Sequence, residues 1–198
     1  MNFLAHLYLS NNNQDIMIGN FIADWIKGNL KNYENKYPPE ILKGITIHRF
    51  IDSYTDTHPV VLKSIHRMHK YAGHYSGIII DMVYDHFLAS QWEIYTNSKL
   101  QVFTRNFYAS CLHRYNYLPS RIKFFLPYLI ASDRLKSYEH LIGIYNSLKI
   151  MQHTSSMKIS LDNIYKELII NYDYFKEEFN VFFPLITKEV SDRFFTDL

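Results

Sequence analysis

The sequence predicts an all-α protein, a single-domain helical bundle of about eight to ten helices. Three observations carry that expectation. Only six glycines and six prolines interrupt 198 residues. Apolar side chains recur at intervals of three and four, while the strict alternation of a half-buried strand is scarce. The links between periodic segments are short and polar, and none is long enough to mark a second domain.

The elements follow in order. Asp15 opens a helical pattern over 15–27, because an Asp side chain can satisfy the free N–H groups of a first turn, and Gly28 stops it. Pro38-Pro39-Glu40 suits a helix start, and the pattern from there runs to about Tyr54. His58-Pro59 closes that unit, since proline pushes the residue before it out of helical backbone. A helix over 60–71 follows. Ser76 is positioned to cap a long helix carrying Asp81, Asp85 and Trp92. Segments 99–115, 119–132, 136–151 and 160–180 read as amphipathic helices, with a last one over 184–195. The chain has no internal repeat, glycine-rich phosphate loop or nucleophile elbow.

Composition narrows the function. Hydrophobic residues make up 47% and charged ones 20%, which argues for a packed core and against disorder. The 17 Tyr, 14 Phe and 2 Trp are spread at helical spacing, so they read as core and groove lining and not as a stacking surface for nucleic acid. A single cysteine, Cys111, excludes a disulfide framework and a Cys-rich zinc site. The N-terminal run Met1-Asn-Phe-Leu-Ala-His6-Leu-Tyr lacks a basic leader and soon turns polar. It is neither signal peptide nor membrane span, and the expected location is the cytoplasm. Charge is uneven: residues 91–160 hold three acids against nine bases, an excess able to guide an acidic macromolecule to the surface.

Polar residues in apolar company mark the candidate site. His48 and Asp52 lie four apart, so on a helix they share one face about a turn apart. Asp81 and Asp85 repeat the spacing, and His86 follows directly. Asp24 stands on a further helix and His6 near the N-terminus. Burying carboxylates among Ile, Phe, Met and Val is costly without a compensating cation, and a bound metal is the simplest one. Mixed His and Asp donors suit manganese, iron, zinc or magnesium. Gly44, one turn before His48, is expected to leave room beside the site. Arg49 is placed to reach a phosphate oxygen. The competing reading is a structural polar network, with Asp52 paired to Arg49 or Lys43 and Asp56 capping the next turn. A metal in this setting favours hydrolysis by acidified water, and spacing does not choose the substrate.

Several ordered motifs together resemble the acyl carrier protein phosphodiesterase family. They are Met1-Asn2-Phe3-Leu4-Ala5-His6-Leu7; Gly19-Asn20-Phe21-Ile22-Ala23-Asp24 with Lys27-Gly28; and Gly44-Ile45. The series continues with His48-Arg49-x-Ile51-Asp52-x-x-Thr55-Asp56-x-x-Pro59 and ends with Asp81-x-x-x-Asp85-His86-Phe87-Leu88. The match is specific over about residues 1–92 and looser beyond, around Leu135-x-x-Tyr138. Family members often carry arginines after the counterpart of Met151. Here Lys158 or His153 would have to substitute.

The resemblance implies a fold similar to the HD-type metal-dependent phosphohydrolases and a divalent metal, with manganese favoured. It implies hydrolysis of the phosphodiester joining 4′-phosphopantetheine to a serine of holo-acyl carrier protein, a small acidic partner for which 91–160 would be the docking face. Combined with the spacing, it assigns Asp24, His48, Asp52, Asp81 and Asp85 to the metal. Arg49 would stabilise the phosphoryl charge, and His6 or His86 would protonate the departing serine oxygen. Two alternatives remain: an HD-type phosphohydrolase acting on nucleotides, and a non-catalytic helical module that binds an acidic protein.

Overall fold

A computed structural model describes residues 1–154 and 159–196. Its helices are α1 (Phe3–Tyr8), α2 (Gln14–Ile22), α3 (Pro39–Thr57), α4 (Pro59–Ala72), α5 (Ser76–Ser90) and α6 (Trp92–Tyr95). The chain goes on with α7 (Leu100–His113), α8 (Ser120–Ala131), α9 (Arg134–Ser137), α10 (Leu141–Thr154), α11 (Leu161–Ile170) and α12 (Tyr172–Phe194). No strand occurs among the described residues. Setting aside the short α1, α6 and α9, nine longer helices remain, within the number expected.

Local chemistry explains where the boundaries fall. Pro39 and Pro59 open α3 and α4 as expected. The cap of α2 is Asn13, not Asp15: its side chain accepts from the N–H groups of Asp15 and Ile16. Ser76 is not a cap either, since its hydroxyl donates back to the Gly73 carbonyl. Gln91 breaks the helix before Trp92, and residues 138–140 divide the expected 136–151 helix into α9 and α10. The last boundary differs most. Asn171 ends α11 because its side-chain amide bonds the Glu167 carbonyl and carboxylate, competing with continued helix. Pro184 instead lies inside α12. Phe179, Phe182, Phe183 and Ile186 are buried around it, and their packing outweighs the lost backbone donor.

The core is one continuous cluster, with α5 at its centre. From Ile79 to Ala89 only Asp81 of that helix is not buried, the mark of a helix surrounded by others; α1, α4, α10 and α12 pack against it. A polar thread pins three of these helices. The Tyr84 and Ser64 hydroxyls bond at 2.9 Å, Ser64 donates to Glu178 at 2.5 Å, and Arg67 pairs with Glu178 at 2.8 Å.

The tightest contact is between α2 and α3. A Cβ on Gly19 would fall 2.0 Å from the Ile41 carbonyl oxygen, and one on Gly44 2.2 Å from that of Ile16. Gly44 therefore does not leave room for a ligand; the backbone of α2 fills the space. Either Gly19→Ala or Gly44→Ala should lower the unfolding free energy in urea by about 2–3 kcal/mol, the upper range for overpacking. Gly77→Ala, which meets no atom within 4 Å, should be neutral or slightly stabilising.

Candidate metal centre

His6 projects from α1, His48 and Asp52 from α3, and Asp24 from the 3₁₀ turn Ala23–Trp25 that follows α2. His48 Nε2 lies 3.1 Å from Asp52 Oδ2 and 3.4 Å from Asp24 Oδ1. The other oxygen, Asp52 Oδ1, lies 3.1 Å from His6 Nε2. The two imidazoles stack with ring centroids 4.1 Å apart. One ligand atom from each of His6, His48 and Asp52 falls within 4.8 Å of the others, close enough to share one ion.

A short hydrogen-bond chain decides the tautomer of His6. Ser10 donates to the His6 carbonyl at 2.9 Å and so accepts from the Asn20 amide at 2.8 Å. That turns Asn20 Oδ1 toward His6 Nδ1, 3.2 Å away, which therefore carries the proton. Nε2 is left with a bare lone pair facing Asp52 Oδ1 and, at 3.1 Å, the Met1 carbonyl oxygen. Three acceptors in van der Waals contact repel one another unless a cation joins them. The donor set thus fits a metal ion on its own geometry.

The neighbouring carboxylates also set the state of His48, so an ion at its Nε2 would have to displace a proton. Burial pulls the His48 imidazole down, but hydrogen bonds to Asp24 and Asp52 outweigh that and push it up to about 9. Burial would raise Asp52, yet its hydrogen bond to His48 holds it well below the usual carboxylate range. Asp24 is lowered by its hydrogen bond to His48. His6 is lowered by burial, which keeps its lone pair free. The His48 Nδ1 atom is buried without a hydrogen-bond partner.

These residues form one wall of a cavity of about 630 Å³, within the usual range for small-molecule sites. Asp56 and Asp81 extend the acidic wall, while Phe3, Phe21, Trp25 and Met82 supply apolar surface. A second cavity of about 700 Å³, beside Tyr8, Trp92 and Phe195, has no charged side chain in its lining and so nothing to hold a cation.

The remaining expected site residues go elsewhere. Asp85 is fully buried, and its carboxylate accepts from the Leu4 and Ala5 N–H groups at 2.7 and 3.0 Å. It caps α1 and is not in the cavity lining. Burial pushes its carboxyl up to about 7 against those two donors. His86 bonds the Tyr138 carbonyl at 2.8 Å and the Tyr172 hydroxyl at 3.0 Å. Both ring nitrogens are engaged, and the residue is not in the cavity lining. Arg49 donates to the Ile26 carbonyl at 3.0 Å and is absent from the cavity lining. Asp81 lines the cavity and pairs with the Met1 amino group at 3.0 Å. Asp56 does not cap the next turn; the His58 ring accepts from the Val60 N–H instead. His153 is exposed, and Lys158 lies outside the described residues. Sequence reasoning missed Asn20, although a buried amide beside Phe21 carries the same signal as His48. It also missed Arg121 and Arg134 as cavity residues, for which only the regional excess of basic charge gave a hint.

A family model described as acyl carrier protein phosphodiesterase matches residues 1–186. Curated relatives of that name include proteins of Salmonella agona, 31% identical over 194 residues, Yersinia pestis, 29% over 194, and Photorhabdus laumondii, 28% over 196. Each alignment takes in 98% of this chain and 98% or 99% of the relative. No solved structure matches the chain.

Asp85 and Asp52 should part company on mutation. Asp85→Ala orphans two buried N–H groups at about 1–3 kcal/mol each, so urea unfolding should show a loss of about 2–6 kcal/mol. Metal affinity of the remaining folded protein should fall by no more than about tenfold, the low end for an outer-shell change, because α1 loses its anchor while every ligand is kept. A selective loss of metal with stability intact would make Asp85 a ligand after all.

Proposed function

Because this chain belongs to the acyl carrier protein phosphodiesterase family, we propose that it hydrolyses the phosphodiester linking 4′-phosphopantetheine to a serine of holo-acyl carrier protein. The products are apo-carrier and free 4′-phosphopantetheine. The observation that carries the reading is the convergence of His6, His48, Asp52 and Asp24 on one wall of a cavity large enough for the pantetheine arm. The centre is of the HD phosphohydrolase kind, and manganese is the favoured ion.

When bound, a divalent cation supplies Lewis acidity, polarising a phosphoryl oxygen and lowering the pKa of a coordinated water. The protein does the rest. Asp52 divides its two oxygens between the imidazoles and holds them in register. Asn20 keeps the His6 proton on Nδ1, so Nε2 stays available as a donor. The aromatic wall of Phe3, Phe21 and Trp25 shields the reacting centre from bulk water and strengthens its electrostatics.

The carrier approaches along α8. Arg121, Ile122 and Phe125 of that helix line the cavity, while the intervening residues face outward. Phe124 is 91% exposed with Lys123 beside it in the chain. An apolar knob among cations at the rim suits an acidic protein whose flexible arm must enter the cavity. The chemistry implies a cytoplasmic setting, and among the described residues no helix is long and apolar enough to cross a membrane.

Holo-carrier incubated with the protein and manganese should lose the phosphopantetheine mass by intact mass spectrometry, and chelator should stop the loss. His48→Ala and Asp52→Ala should each cut turnover by more than about 100-fold, beyond what an outer-shell substitution costs. No cleavage of several carriers with several metals would sink the proposal, and turnover of nucleoside phosphates alone would favour the small-substrate alternative. Lys123→Glu with Phe124→Ala should raise KM for the carrier about five- to tenfold, the equivalent of ~1 kcal/mol of rim contact, with kcat within twofold.

A further inference from the structure

The charged lining of the cavity divides by position in the chain. Every acidic or basic side chain contributed by residues 1–82 is an aspartate or a histidine, and the two basic side chains contributed by residues 121–151 are Arg121 and Arg134, with the Tyr138 phenol beside them. No ion pair joins the two sets among the described residues. A cavity with cations and acids that do not neutralise each other is shaped for a ligand that separates them: a metal on one side and an anion on the other.

Arg134 is the better placed of the two. It is partly buried and has no carboxylate partner among the described residues. Its Nη2 reaches the Ser147 carbonyl only at 3.5 Å, and its Nε is buried with no hydrogen-bond partner. The guanidinium carbon lies 5.7 Å from the centre of the Phe125 ring, near the outer limit of a cation–π contact. The Tyr138 hydroxyl, also in the cavity lining, bonds the guanidinium as well, yet all its partners are neutral and Nε keeps none, which is costly for a partly desolvated cation. The backbone on either side of it is nonetheless held. Asp133, in left-handed conformation at φ 41°, accepts from the Thr104 hydroxyl at 3.2 Å, and the Leu135 N–H donates to the Tyr108 hydroxyl at 3.2 Å. Arg121 stands one helical turn before Phe125 on α8, so both arginines flank the same ring. It makes no hydrogen bond or ion pair among the described residues.

We propose that Arg134, assisted by Arg121, is the anion-binding group of this cavity and takes the phosphoryl oxygens of the diester, the part that spacing assigned to Arg49. A guanidinium fork matches two phosphate oxygens at once, whereas Arg49 donates from Nη2 to the Ile26 carbonyl and stands outside the cavity lining. The inference rests on the phosphodiesterase reading for its substrate, but the anion site can be tested apart from it.

The test is calorimetric titration of the manganese-loaded protein with 4′-phosphopantetheine and with pantetheine, which lacks the phosphate. The parent should bind the phosphorylated molecule at least tenfold more tightly. Arg134→Gln should remove most of that preference while leaving pantetheine affinity within twofold, which also reports an intact fold. Arg134→Lys should recover part of it, and Arg121→Gln should weaken it about threefold. If Arg134→Gln does not fold, the lysine and Arg121 variants decide. The same preference in parent and Arg134→Gln overturns the proposal, as does its loss in Arg49→Gln alone or the lack of any preference in the parent. If the parent prefers the phosphorylated ligand through Arg134 yet cleaves no carrier, the substrate assignment fails and the anion site stands. If it cleaves carrier but Arg134→Gln changes neither kcat/KM nor the preference, the reverse holds.

Discussion

The site depends on the backbone contact between Gly19 of α2 and Gly44 of α3. With no Cβ on either, the helices approach until carbonyl oxygens occupy the space a side chain would take. That approach fixes how Asp24, just beyond the end of α2, meets His48, one turn along α3 from Gly44, with Asp52 a further turn on. Glycine inside a helix costs roughly 1 kcal/mol in propensity. Here that cost is offset by a geometry in which carboxylates and imidazoles from separate helices come within hydrogen-bond distance.

A second constraint works from beneath. Asp85, deep in α5, accepts the first free N–H groups of α1. Because α1 has only six residues, a firm anchor at its start also sets where His6 points. The Asp85 carboxylate therefore serves the metal wall without touching it, and Asp81 pairs with the Met1 amino group at the cavity edge. Two aspartates at the same spacing as His48 and Asp52 thus do different work, since one faces protein and the other faces the cavity.

Much of this was legible in the chain. Helix starts at Pro39 and Pro59 followed from proline's fixed φ and missing donor, and polar residues on apolar faces picked out His48, Asp52 and Asp24. The boundary at Pro184 was misread because the aromatic packing around α12 overrides a single lost hydrogen bond. The partners of Asp85 and His86 were not legible, because a buried polar group can be satisfied by a backbone donor or acceptor far away in sequence, and no local pattern reveals it. Arg134 was overlooked because its significance lies in facing a cavity without a carboxylate partner among the described residues, which is a property of the assembled fold.

By itself the sequence determined the all-helical class, the residue types able to hold a cation and which of them share a face within one helix. These follow from propensity and periodicity, which act over a few residues. Only the tertiary structure decided which faces open on the cavity, that α2 fills the space beside Gly44, that Asp85 holds α1 in place, and that two arginines from the second half of the chain line the same cavity as the acids of the first. Those outcomes turn on contacts between segments tens of residues apart, whose geometry is set by close packing of the whole and not by any local spacing.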